Sequence, residues 1–145
     1  MKKILLTLVV AMFCSVMAMA DDMPINYKEV PANAKTFVTK YFPSSKVTAA
    51  TKDTEFLGGT EYTVYLDNGT KIDFNSKGVW TEVECGVTAI PAGIVPAKIV
   101  NYVKAKYEGS DIVKIDVDKT DYEIRLSNGL EMKFNLNGDF IKIDD

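Results

Sequence analysis

"EYTVYLDNGTKIDFNSKGVW", residues 61–80, reads as a strand, a tight turn, a strand, a second turn and a third strand. Apolar residues alternate with polar ones along the strand segments, and residues rich in Asn and Gly separate them. The stretch "DYEIRLSNGLEMKFNLNGDF", residues 121–140, repeats this order almost position for position. The chain therefore contains two antiparallel three-stranded units with the same turn chemistry.

The first turn of each unit sets its register. If residues 67–69 form a three-residue loop with the glycine in the left-handed conformation, Val64 faces Ile72 and Tyr62 faces Phe74. Every apolar side chain of the hairpin then lies on one face of the sheet. A two-residue loop would mix apolar and charged side chains on each face. We therefore predict the three-residue loop in both units.

The second turn leaves two alternatives for the aromatic residue that follows it. A four-residue loop, 75–78, leaves Trp80 on the polar outer face, and the same loop in the second unit leaves Phe140 there. A loop one residue longer turns Trp80 inward but also places the charged Glu82 opposite the apolar Ile72. We favour the four-residue loop because it keeps charged side chains off the inner face.

An amphipathic helix precedes each three-stranded unit. "VPANAKTFVTKYF", residues 30–42, and "VPAKIVNYVKAKY", residues 95–107, align without gaps and carry apolar residues on a period of 3.6. Pro31 and Pro96 suit the first helical turn, where a missing N–H costs little. The aromatic residues of these stripes are predicted to belong to the core.

A further strand is predicted before each unit, weakly at 46–51 and clearly at 111–118. The fold class is therefore α+β, with two tandem copies of a helix plus a four-stranded antiparallel sheet and the helices packed on one face. The internal repeats span about 28–84 and 90–145. A single copy is short of core, so we expect the sheet to continue from one copy to the other across the join at 85–96.

The first twenty residues have the features of a secretory signal peptide. Lys2 and Lys3 precede a short apolar run, and "AMA" supplies a small-residue cleavage site after Ala20. Lipidation of Cys14 is the alternative, but Phe13 stands where a lipobox has a small residue. We predict a signal peptide at 1–20, a single domain at 21–145 and a periplasmic or secreted location, with no membrane insertion after cleavage.

The composition excludes several classes of function. Without Lys2 and Lys3, 15 basic residues remain against 20 acidic ones, a net charge near −5 that disfavours nucleic acid as a partner. The chain has no histidine, which is the commonest general base and zinc ligand. Only Cys85 remains after cleavage, so no disulfide can form within the mature chain. We therefore predict no catalytic residues and no enzyme.

Calcium is the one metal that the sequence leaves open, and no other cofactor is expected. Two turn-rich stretches carry oxygen ligands: Asp116, Asp118 and Asp121 in the first, and Asn135, Asn137 and Asp139 in the second. Neither has the twelve-residue spacing of an EF-hand loop, and Asp and Asn are ordinary residues of hairpin turns. No residue is therefore assigned as a metal ligand.

The motifs of both units resemble one family. V-P-x(5)-F/Y-V precedes Y-x-[VI]-x-L-x-N-G and F-N-x-x-G-x-[WF], and the chain ends in "IKIDD". This pattern is similar to that of the tandem PepSY-like, or β-lactamase-inhibitor-like, family and covers Val30 to Asp145. The resemblance implies a small exported protein of a bacterial envelope with helices on one side of an antiparallel sheet. It also implies a role in binding or inhibiting another periplasmic protein.

The polar face of the sheet is the predicted binding surface. The favoured register places Tyr65, Trp80, Arg125 and Phe140 on it, and aromatic residues around an arginine are typical of protein-binding hot spots. The alternative is that Trp80 and Phe140 pack into the join or over lysine stems. We predict a non-enzymatic periplasmic module that captures a protein or peptide on this face. A structural or sensory envelope component, responsive to calcium, is the alternative function.

Overall fold

The structure is a computed structural model that describes residues 22–54 and 59–144. The predicted signal peptide and most of the insertion "TEFLGG" lie outside these ranges. In the described ranges, nine strands form one sheet in which each strand pairs antiparallel with the next along the chain. The strands are β1 Met23–Ile25, β2 Val47–Asp53, β3 Glu61–Leu66, β4 Lys71–Phe74, β5 Trp80–Glu84, β6 Ile112–Val117, β7 Asp121–Leu126, β8 Glu131–Asn135 and β9 Phe140–Asp144.

Two α-helices form where the apolar periodicity predicts them. They are α1, Ala32–Tyr41, and α2, Ala97–Lys106, and each has a proline, Pro31 or Pro96, at its N-cap. A short 3-10 helix, Tyr27–Glu29, precedes α1. The N-cap proline sacrifices no hydrogen bond, because the N–H groups at a helix start have no partner within the helix.

Both α-helices pack on the same face of the sheet and share one core with it. Ala34 and Val38 of α1 and Ile99 and Val103 of α2 belong to the same buried apolar cluster as the inward residues of the strands. The sheet contributes Val64, Leu66, Ile72, Phe74, Val83, Ile115, Ile124, Leu126, Met132 and Phe134 to this cluster. The residues between these strand positions point to the opposite face, which carries most of the charges.

The prediction of two tandem copies of a helix plus a four-stranded sheet is wrong. The described chain has one nine-stranded sheet with two α-helices, because β1 adds a ninth strand and β5 pairs directly with β6. Val83 lies opposite Ile115 at this junction. Pairing β5 with β6 satisfies backbone groups that two separate sheets would leave at exposed edges, and it joins the two inner faces into one core. The weakly predicted strand at 46–51 is the long internal strand β2, not an edge.

The first hairpin of each unit has the predicted register. Val64 lies opposite Ile72 and Tyr62 opposite Phe74, and Gly69 has a positive φ of 88°. The β7–β8 hairpin repeats this arrangement with a φ of 90° at Gly129. The turn residues therefore determine both registers locally, as the three-residue loop requires.

The predicted second loop is wrong, and a β-bulge is the reason. Trp80 lies opposite Phe74 and Glu82 opposite Asp73, so Thr81 is an extra residue between the two pairs. The bulge turns Trp80 inward while Glu82 still points outward, a combination that uninterrupted alternation does not allow. Phe140 lies opposite Phe134 across the same irregularity between β8 and β9.

Within residues 22–54 and 59–144, no helix combines the length and the apolar character needed to cross a membrane.

Candidate binding face

The face of the sheet opposite the α-helices is the candidate functional surface, and we call it the polar face. Both helices pack against the other side, so the backbone of nine adjacent strands supports this surface. A sheet with one face in the core is more rigid than a loop, and it holds side chains of neighbouring strands about 5 Å apart. Charges on the polar face therefore act on each other directly.

Four carboxylates form an unbroken row across the middle of the polar face. Asp73, Glu82, Asp116 and Glu123 lie on β4, β5, β6 and β7, and each is the direct cross-strand partner of the next. We call these four residues the acidic row. Like charges directly opposite each other in a sheet are destabilising, so this arrangement works against the stability of the fold.

One end of the acidic row is partly buried. Asp73 is only 8% exposed, and its carboxylate accepts a 2.8 Å hydrogen bond from the hydroxyl of Thr63 on β3. Desolvation raises the pKa of Asp73. Glu61, also on β3, has its pKa raised to about 7 by desolvation and then by the negative charge of Asp73.

Asp116, at the centre of the acidic row, also has a raised pKa. Desolvation, followed by the charges of Glu123 and Glu82, raises the pKa of Asp116 to about 6. Among the described residues, the carboxylates of Asp116 and Glu123 form no ion pair and accept no hydrogen bond. A cation that contacted both side chains would relieve this repulsion.

A second row of mixed charge lies beside the acidic row and neutralises part of it. Lys71 approaches Glu82 at 3.4 Å and Asp73 at 3.7 Å, and Lys114 approaches Glu82 at 3.6 Å. These contacts neutralise Asp73 and Glu82 more than the other two acids. Asp116 and Glu123 form no such ion pair in the described ranges, although Lys133 lies opposite Glu123, so β6 and β7 carry the less neutralised part of the acidic row.

Two of the four predicted binding residues lie on the polar face. Tyr65 pairs across the strands with Lys71, and Arg125 pairs with Lys114 and Glu131. Arg125 also donates a 2.8 Å hydrogen bond to Glu84 and thereby lowers the pKa of that carboxyl.

The other two predicted binding residues do not lie on the polar face. The ring of Trp80 is 6.5 Å from that of Phe37 on α1, and the ring of Phe140 stacks at 5.0 Å on that of Tyr102 on α2. Both aromatics therefore face the helices, and the prediction that they flank Arg125 is wrong. The bulges cause this change, and the aromatic partners lie on α1 and α2, whereas the sequence alternative named the join or lysine stems.

The acidic row was missed from the sequence because half of it depends on a long-range pairing. Asp73 and Glu82 lie in one hairpin, whereas Asp116 comes next to Glu82 only when β5 pairs with β6. Acidic residues alternate along 111–118 and 121–126, and this pattern would have indicated the acidic row if the pairing of β5 with β6 had been assumed. Register then puts all four carboxylates in one line.

Four of the six residues that suggested calcium use side-chain oxygens in contacts within the protein: Asp118, Asp121, Asn135 and Asp139. One oxygen of Asp118 accepts hydrogen bonds from the backbone N–H groups of Thr120 and Asp121 and from the Thr120 hydroxyl. Asp139 pairs with Lys98. In the described ranges, no group of three or more His, Cys, Asp or Glu residues is placed to hold a metal ion. These turns therefore do not fit a calcium site.

An apolar cavity lies away from the polar face. It has a volume of about 610 Å³ and lies between α2 and the join, with Ile90, Val100, Val103 and Ile112 among its apolar lining residues. Asn101 and Lys104 are polar residues at the same site.

Comparison with known proteins identifies similar chains. The family model described as "Putative beta-lactamase-inhibitor-like, PepSY-like" matches residues 60–142. No curated protein matches the chain.

Three solved structures are similar over most of their length. A "putative periplasmic protein" of the DUF2874 family from Bacteroides vulgatus is 41% identical, with a TM-score of 0.81, 88% of this chain covered and 99% of that chain. A "putative calcium-regulated periplasmic protein" from Bacteroides thetaiotaomicron is 42% identical, with a TM-score of 0.81 and coverage of 86% and 98%. A second B. vulgatus "putative periplasmic protein of unknown function" is 34% identical, with a TM-score of 0.82 and coverage of 86% and 99%.

Proposed function

The chain belongs to the PepSY-like family and is periplasmic, and we propose that it is a non-enzymatic module that binds a protein or peptide on its polar face. The resemblance seen in the sequence motifs and the predicted location are thereby confirmed, and no family of enzymes is indicated. The inhibitor-like description of the family supports a binding role. Fold alone does not determine function, so the proposal rests on the chemistry of the surface.

The observation that carries the proposal is the acidic row. Four carboxylates on adjacent strands repel each other, and a protein keeps such an unfavourable arrangement when a partner compensates it. Asp116 and Glu123 form no ion pair within the described residues, so their charges are free to meet those of a partner. The partner is therefore a protein or peptide segment that presents Lys or Arg side chains to the centre of the sheet.

The raised pKa values give this interaction a pH dependence. Asp116, with a pKa of about 6, loses its negative charge as the pH falls through that value. A basic partner then loses one of its attractive contacts. Affinity is therefore highest near neutral pH and falls at mildly acidic pH.

A lysine peptide is the probe that tests the charge chemistry. We expect an octalysine peptide to bind at low salt, an octaglutamate peptide not to bind, and added salt to weaken the complex. Glu123→Gln should weaken binding about two- to fivefold, the usual range for one exposed charge contact. Glu108→Gln makes the same charge change just beyond α2, on the other side of the molecule, and should leave the affinity unchanged.

The two polar-face residues that the sequence identified supply a second test. Tyr65→Ala and Arg125→Ala should reduce the capture of a natural partner from envelope extract, while the folded fraction stays unchanged. Equal octalysine binding by wild type, Glu123→Gln and Glu108→Gln would contradict the assignment of the acidic row. If Tyr65→Ala and Arg125→Ala both still capture the partner, the binding surface lies elsewhere on the protein.

A calcium-responsive envelope component is the second candidate function. The relative from B. thetaiotaomicron, described as "calcium-regulated", favours it. The described turns do not fit such a site, so we expect millimolar calcium to leave the melting temperature unchanged within error. A calcium-dependent rise that magnesium does not reproduce would favour this second candidate instead.

A further inference from the structure

The two edge strands of the sheet are protected to different degrees. β1 has three residues with Pro24 at its centre, and proline lacks the N–H group that another strand would need. β9 has five residues, and Phe140, Ile141 and Ile143 are 38%, 49% and 42% exposed. A long edge strand with exposed apolar residues is a template for pairing with another strand.

The side chains of β9 are complementary to those of a second, antiparallel β9 strand. Ile143 lies opposite Met132 and so belongs to the helix side, whereas Lys142 and Asp144 lie opposite Lys133 and Glu131 on the polar face. If two β9 strands pair antiparallel with Ile143 on a two-fold axis, Lys142 of each chain lies opposite Asp144 of the other. The two isoleucines then meet on the helix side. On the polar side, Lys142 and Asp144, which lie 3.7 Å apart within one chain, can exchange partners and form two ion pairs across the axis.

We propose that β9 is a self-association edge, and that its occupant is β9 of a second copy of this chain in that register. The contact is isologous, so it closes after two copies, and the edge strands that remain within the described ranges are the two proline-containing β1 strands. The paired sheets form one surface of eighteen strands with the two acidic rows on the same side. This inference does not depend on the proposed function.

The small contact makes the association weak. Only five residues of each chain take part, so the buried area falls at the low end for specific interfaces, below about 1,200 Å². We expect a monomer–dimer equilibrium with a dissociation constant of about 10–500 μM, typical of weak transient complexes. Sedimentation equilibrium over this concentration range measures it.

A charge exchange tests the register. Lys142→Asp places two acids opposite each other at both ion pairs and should weaken dimerisation at least about fivefold. The double variant Lys142→Asp, Asp144→Lys restores opposite charges and should recover most of the affinity. Lys119→Asp makes the same charge change in the β6–β7 turn and should leave the dimer unchanged. Melting temperatures establish that each variant is folded.

A disulfide crosslink tests the same register without changing a charge. Ile143→Cys brings two thiols together on the two-fold axis, where directly opposite Cβ atoms lie about 5 Å apart, so oxidation should give a covalent dimer. Ile141→Cys, on the same strand, separates its thiols by about 13 Å and should remain monomeric on oxidation. A wild-type chain that stays monomeric throughout the range, or equal crosslinking of both variants, would overturn the proposal.

Discussion

Gly78 offers a sharp test of how the sheet docks on α1. It lies in the loop between β4 and β5 with a φ of 79°, and a Cβ atom added there would be 2.8 Å from Cβ of Pro31 and 3.2 Å from the backbone nitrogen of Ala34. The same loop is held to the helix by a 2.7 Å hydrogen bond from the Asn33 side chain to the Lys77 carbonyl. Gly78→Ala therefore introduces both backbone strain and a steric conflict.

The backbone strain and the steric conflict can be separated, because a substitution at Gly69 introduces only the backbone strain. Gly69 has a φ of 88° and nothing within 4 Å of the added Cβ, so Gly69→Ala should cost about 1–2 kcal/mol for the left-handed conformation alone. The neighbours of Gly78 are a proline ring and helix backbone, neither of which moves easily. Overpacking of this kind adds about 1–3 kcal/mol, for a total of about 2–5 kcal/mol in Gly78→Ala.

Urea unfolding at equilibrium measures the difference. With a slope of about 1–3 kcal/mol per molar urea, an extra 1–3 kcal/mol moves the midpoint by roughly 0.3–3 M beyond that of Gly69→Ala. Gly129→Ala, with a φ of 90° and open space, is a second control and should match Gly69→Ala. If Gly78→Ala is no less stable than these two variants, the loop does not rest on α1 as described, and the steric argument fails.

Three further predictions concern single side chains. Trp80→Ala should lower the free energy of unfolding by about 2–4 kcal/mol, because the indole packs against α1; unchanged stability with lost partner capture would place it back on the surface. Glu61→Gln should stabilise the fold by up to about 1 kcal/mol near pH 8, after allowance for solvent screening. The Glu61 carboxyl has a pKa of about 7 in the native state and therefore binds its proton more tightly there than in the unfolded chain, so wild-type stability falls as the pH rises from about 4.5 to 7. If Glu61→Gln still stabilises the fold near pH 4, the raised pKa is not the cause. Cys85 is buried with a raised pKa, so alkylation by iodoacetamide should be slow in the native protein and fast in urea; equal rates would contradict its burial.

The cellular location and the local elements could be predicted from the sequence because the necessary information lies within short stretches. The Asn-Gly turns determine the registers of β3 with β4 and of β7 with β8, since glycine alone takes the positive φ at low cost. Both α-helices follow from apolar periodicity and a preceding proline. The family motifs are made of these same local features.

The bulges and the acidic row were decided by tertiary structure. Strict alternation along β5 favours an outward Trp80. Contact with Phe37 on α1 stabilises the inward indole instead. The extra residue in the bulge lets Trp80 point inward while Glu82 points outward. Asp116 reaches Glu82 only because β5 pairs with β6, which lies beyond the join and α2 in the chain. Local propensity carries no information about such a pairing, which forms because it buries apolar surface and satisfies the backbone hydrogen bonds of two strand edges.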